Sequence, residues 1–87
     1  MTRFLVEVYT SNRGDAVASV LFDAVTLARS SRVRHVRAIL VPADEICFHV
    51  VDGASAHDVA AAAAEARVSF DRIAEAVEVS CGPEEER

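Results

Sequence analysis

The period of the apolar residues switches between two and about 3.6 along this chain, and that succession limits the fold more than any other feature. Residues 2–10 (TRFLVEVYT) alternate: Phe4, Val6 and Val8 point one way, and Leu5, Glu7 and Tyr9 the other. Ser11–Asp15 is turn chemistry ending in an Asp suited to cap a helix. The spacing predicts a helix to about Arg29, with Val17, Val20, Leu21, Ala24, Leu27 and Ala28 as its buried stripe and Phe22 and Val25 off centre. Residues 33–41 (VRHVRAILV) and 46–51 (ICFHVV) read as strands flanking a turn at Pro42–Glu45, hence a hairpin. Asp52-Gly53-Ala54 breaks the chain, and Ser55 with Asp58 resembles a capping box. The helix from Ala56 to about Arg67 is mostly alanine, so it lies close against a sheet or is marginal. Residues 73–79 (IAEAVEV) alternate again, and 81–87 form an acidic, breaker-rich tail expected to be disordered.

The order β-α-β-β-α-β defines an α+β ferredoxin-like plait. Right-handed crossovers put both helices on one face of a four-stranded antiparallel sheet, with expected strand order 4-1-3-2. Residues 1–80 then make one domain. The other face of the sheet is bare, and an apolar face of that extent usually finds a partner. Packing two such faces together would give a homodimer of the dimeric α/β-barrel kind. At 87 residues the chain buries a thin core, so a ligand site is expected to be shallow or shared between subunits.

Composition narrows the partners. Hydrophobic residues make up 52% of the chain, which is incompatible with disorder throughout. The net charge is −5 and every basic residue is Arg, a balance that disfavours nucleic acid and anionic membranes. No apolar run approaches the length of a membrane span, and Glu7 interrupts any signal-peptide core. A cytoplasmic location follows as the default, where Cys47 and Cys81 make no disulfide framework. Three scattered glycines form no phosphate loop, and no nucleophile elbow is present. The central strands lack the stacking aromatics of an RNA-recognition sheet. Arg29, Arg32, Arg34 and Arg37 form a basic run without an acid, best read as a solvated patch.

The residues able to carry chemistry are expected on the open face, where the homodimer would bind a divalent transition metal or a small-molecule ligand. Taking Ile46, Phe48 and Val50 as the core set of the third strand leaves Cys47, His49 and Val51 beside Glu7. An odd hairpin loop would add His35, Arg37, Ile39 and Val41 to that face; an even loop would reverse the second strand. The odd loop separates apolar from polar residues better. Imidazole, thiolate and carboxylate together suit Zn²⁺ or Ni²⁺, so Glu7, Cys47 and His49, with His35 as a fourth, are the expected metal ligands. No organic cofactor is indicated. A cofactor-independent enzyme on an apolar natural product (a cyclase, isomerase or monooxygenase) is the alternative. There His49 or His35 would be the general base, Glu7 its orienting partner, and Arg37 or Tyr9 the holder of an oxyanion. Plainer readings exist for each: an ion pair of Glu7 with Arg37, a buried apolar Cys47, interface packing by Tyr9, and solvent-exposed His49 and His57.

Three stretches resemble the DUF4242-type small proteins, described as nickel-binding-like: Phe4-Leu5-Val6-Glu7-Val8-Tyr9, Val41–Phe48 followed by Asp52-Gly53-Ala54, and Phe70–Val77. The resemblance spans about residues 3–79, and its most specific piece is Pro42-Ala43-Asp44-Glu45-Ile46-Cys47-Phe48. It implies a ferredoxin-like fold, usually dimeric, and nickel binding in some members. Glu7, Asp44, Glu45 and Cys47 match its pattern, whereas His35 and His49 belong to this chain alone. The chain departs from it in a short first strand-to-helix connection and in Arg67-Val68-Ser69-Phe70, where the family has a Gly-Leu-Pro turn.

Overall fold

The alternation of strand and helix periods is realised in the computed structural model, which describes residues 1–11 and 13–80. Its elements are β1 (Thr2–Tyr9), α1 (Ala16–Ala28), β2 (Val33–Val41), a 3-10 turn (Pro42–Asp44), β3 (Ile46–Gly53), α2 (Ala56–Glu65) and β4 (Arg72–Glu75). The four strands form one antiparallel sheet in the order β2-β3-β1-β4, the expected order read from the other edge. The fold is therefore the α+β ferredoxin-like plait. No described helix is long and apolar enough to cross a membrane. The tail at 81–87, with Cys81, lies outside the described residues.

Phe4, Val6 and Val8 do face the helices, forming a core with Val33, Val51, Leu27, Val59, Ala62, Ala63 and Val68. The alanines of α2 serve close approach. A Cβ on Gly53 of β3 would lie 3.0 Å from Val59 Cγ2 and 3.3 Å from Val33 Cγ1. Ser55 caps α2 by accepting from the Asp58 amide, as the sequence suggests. The helix ends in a Schellman motif: Val68 N donates to Ala63 O and Arg67 N to Ala64 O. Arg67, at φ 59°, takes the left-handed position where glycine is usual.

Four sequence expectations are corrected. First, the hairpin loop is even. Glu45, at φ 53°, closes the 3-10 turn by donating to Pro42 O, and Val41 pairs with Ile46. With Phe4, Val6 and Val8 committed to the core, antiparallel pairing with Val51, His49 and Cys47 brings those three to the helix side. Ile46, Phe48 and Val50 take the open face instead. Second, a bulge between His35 and Arg37 lets β2 change phase. Ala38, Leu40, Arg37, Ile39 and Val41 thus face as expected, while His35 opposite Val51 faces the helices. Third, α1 is turned from its expected orientation by roughly a quarter turn. Asp23 and Leu27 are buried, whereas Val17, Leu21, Phe22 and Val25 are exposed. Fourth, β4 is shorter than expected, and Asp52-Gly53 continues β3 rather than breaking it.

Candidate functional site: a histidine pair beneath the first helix

The register of β3 and the bulge in β2 place two imidazoles side by side under α1. His35 Nε2 lies 3.0 Å from His49 Nδ1, and the rings meet edge to face with centroids 5.2 Å apart. His49 is 0% exposed, and its Nε2 has no hydrogen-bond partner among the described residues. Cys47, two positions away on the same strand face, is equally buried. The helix turns Asp23 inward toward this group. Asp23 is held by Arg13, with Nη1 3.1 Å from Oδ2, and its charge acts on both His49 and Cys47.

Burial dominates the protonation chemistry. It pushes His49 down to about 4, helped by the neighbouring His35, with Asp23 opposing; burial also lowers His35. Both imidazoles are therefore neutral at pH 7, one nitrogen of the 3.0 Å contact donating and the other accepting. Burial and then the Asp23 charge push the Cys47 thiol up to about 11, so it stays protonated.

The expected open-face cluster does not assemble. Glu7 is on the opposite side of the sheet from Cys47 and His49, and its Oε2 accepts from Arg72 Nη1 at 3.0 Å. Arg37, the partner foreseen for Glu7, instead faces Glu78 at 3.7 Å. A general base at His49 oriented by Glu7 is thereby excluded as a geometry. His35 joins His49, but on the helix side. Tyr9 sits at the edge of the open face, 53% exposed, where it lines a shallow cleft with Arg13, Arg67 and Asp71. Asp44 and Glu45 are exposed in the hairpin turn, and His57 is exposed at the start of α2. Among the described residues, no three His, Cys, Asp or Glu side chains gather where they could hold a metal ion. Two of the four expected ligands, His35 and His49, do converge.

The open face has its own organisation. Arg3 grips Asp52 through two nitrogens at 2.8 and 3.0 Å, and Arg34 adds a third contact at 2.8 Å. These contacts hold the Asp52 carboxyl down to about 2, with the Arg3 hydrogen bond the largest cause. Ala76 N donates to Arg3 O, and the Glu78 carboxylate then bridges Arg3 of β1 and Arg37 of β2 across β3. Arg32 pairs with Asp58 and Glu65 of α2. The acids missing from the local Arg run thus come from distant segments.

Sequence reasoning missed Asp23, Arg13 and Asp52. A signal for the first was present: Asp23 is the only charged residue in α1, and with Arg13 one turn before the helix it had a partner able to hold it inward.

No family model and no curated protein matches the chain. A solved structure does, described as "Crystal structure analysis of SCO4226 from Streptomyces coelicolor A3(2)". It superposes with a TM-score of 0.65 at 17% identity, covering 90% of this chain and 99% of that one. At that identity the likeness shows the shared fold alone.

Proposed function

We propose that this chain is a homodimeric domain that binds a divalent transition metal through His35 and His49. The observation that carries this reading is the 3.0 Å separation of His35 Nε2 and His49 Nδ1; the ion would replace the hydrogen bond between them, the donor's proton moving to its other ring nitrogen. Two imidazole nitrogens about 2.1 Å from one ion and at right angles to each other are roughly 3 Å apart, the spacing of neighbouring ligands in a tetragonal Ni²⁺-type site. Two features support it. Coordination needs neutral imidazole, and burial supplies that state at pH 7. The Asp23 carboxylate lends negative charge to the surroundings. Glu7 is dropped as a ligand because the sheet separates it from the pair. Cys47 is dropped because, among the described residues, it does not gather with the pair into a three-ligand group. The remaining coordination positions would be filled by ligands other than these side chains.

Isothermal titration with Ni²⁺ on the wild type, His35→Ala, His49→Ala and Glu7→Ala tests the reading. We expect both histidine variants to lose binding by at least about 30-fold, and Glu7→Ala to match the wild type. His35→Ala keeps the test decisive if His49→Ala unfolds, since His35 is only half-buried. Binding at pH 7 should release no protons and show no sulfur-to-metal absorption. Equal affinity in wild type and His35→Ala would refute the site.

A further inference from the structure

A cleft of about 530 Å³ opens between the C-terminal ends of α1 and α2, a volume in the range of small-molecule sites, and neither histidine of the pair lines it. Phe22, Ala62 and Ala66 give it apolar walls, and Arg29 and Arg67 both line it. These two arginines differ from the rest. Of the eight described, Arg3, Arg13, Arg32, Arg34, Arg37 and Arg72 each pair with a carboxylate. The Arg29 and Arg67 side chains alone make no hydrogen bond or ion pair among the described residues. Arg67 also holds the left-handed position that ends α2, at φ 59°, where glycine would be unstrained. No contact within the described chain accounts for keeping a guanidinium there.

We infer that this cleft binds a small organic carboxylate with a flat apolar body, the carboxylate held by Arg29 and Arg67 and the body lying against Phe22. The inference is independent of the metal reading. Charge selects the class. Each of the two helix ends carries roughly half a negative charge, against two full guanidinium charges, so about one positive charge is left to meet a monoanion. Glu65, the one acid among the lining residues, is taken by Arg32 Nε at 3.1 Å. In a chain of net charge −5, such a positive site is a local exception. Hydrogen bonding selects the same class. Thr26 Oγ1 already donates its proton to Asp23 O, whereas Ser30 Oγ accepts from Arg32 N and keeps its own proton to give. The open polar groups of the cleft are thus mainly donors, which calls for an acceptor. A carboxylate matches the planar fork of a guanidinium. Phe22, 66% exposed, offers an aromatic surface that a purely inorganic anion would leave wet.

Titration of naphthoate into isotopically labelled protein, followed by two-dimensional NMR, tests the site. We expect saturable shifts at the Ser30, Ser31 and Arg67 amides. Naphthamide, the neutral isostere, should bind at least about tenfold more weakly, and naphthoate should bind Arg67→Gly and Arg29→Gln at least about tenfold more weakly than the wild type. Arg67→Gly keeps the fold because glycine suits the backbone there, and circular dichroism checks both variants. Arg37→Gln, which removes a charge facing Glu78 on the open sheet face, should bind as the wild type does. No saturation up to about 10 mM naphthoate, equal binding of naphthamide, or wild-type affinity in either cleft variant overturns the site. Equal weakening by Arg37→Gln overturns it too, since the attraction would then belong to the whole surface.

Discussion

Lowering the pH from 7 to 5 should remove a large part of this protein's stability, through His49. Unfolded, the imidazole titrates near 6.5; folded, burial holds it at about 4. The folded state therefore takes up its proton later than the unfolded state does. Stability from neutral His49 is fully present above pH 6.5 and is lost as the pH falls toward 4. At about 1.36 kcal/mol per tenfold difference, the whole interval is worth about 3 kcal/mol, with about 2 kcal/mol gone by pH 5. A chain of this size has on the order of 4–13 kcal/mol in total, so the loss is large. His35, lowered by the same burial, adds in the same direction. Asp52, held at about 2, keeps its ion pairs through this window and gives way only below its ordinary 3.8. Urea unfolding at constant ionic strength between pH 7.5 and 4.5 measures the slope, and His49→Leu should flatten it. A wild-type stability constant to within about 0.5 kcal/mol from pH 7 to 5, or a His49→Leu slope equal to the wild type's, would refute the reasoning.

Arg67→Gly should stabilise the protein by about 0.5–1 kcal/mol, because the left-handed backbone costs an L side chain about 1–2 kcal/mol and glycine's extra unfolded freedom returns part of it; a thermal melt reads the gain. Gly53→Ala should cost about 1–3 kcal/mol by crowding the stiff Val59 and Val33 side chains, measured by the fall in Tm. In a Cys81→Ser background, Cys47 should react with a thiol reagent on the order of 10³-fold more slowly in the native than in the unfolded protein, and native labelling at the unfolded rate would contradict its burial.

The plait was legible because it depends on the order of periods, which is local information. Facing was only partly legible. β3 is the central strand beside β1 and β2, and both of its rows are covered by neighbouring side chains, so Ile46 and Val50 are buried without a helix above them. A strand with two apolar rows carries no alternation to read, and its face is set by pairing with β1. His35 was misplaced for a different reason: the bulge before Arg37 shifts the phase of β2 by one residue, and no turn residue marks it. The Asp52 network was hidden because Arg3 and Arg34 are 49 and 18 residues away from it in sequence.

One side chain links the histidine pair to the exposed face of α1. A carboxylate beneath a helix must be paired, and Arg13 pairs it from the turn that leads into α1. Once Asp23 is fixed inward, the helical period leaves Leu21, Phe22 and Val25 no position but outward. The helix then gains little from the core: it packs on β2 and contributes Leu27 as its one buried large apolar residue. An element anchored that lightly opens at lower free energy than the sheet below it, and it is the element that covers His49. The polar inner side and the apolar outer side are thus two consequences of a single placement. Asp23→Leu, which removes the inward charge, should shift the imidazole resonances of His49 in an NMR titration, whereas Phe22→Glu, on the outer side, should leave them in place.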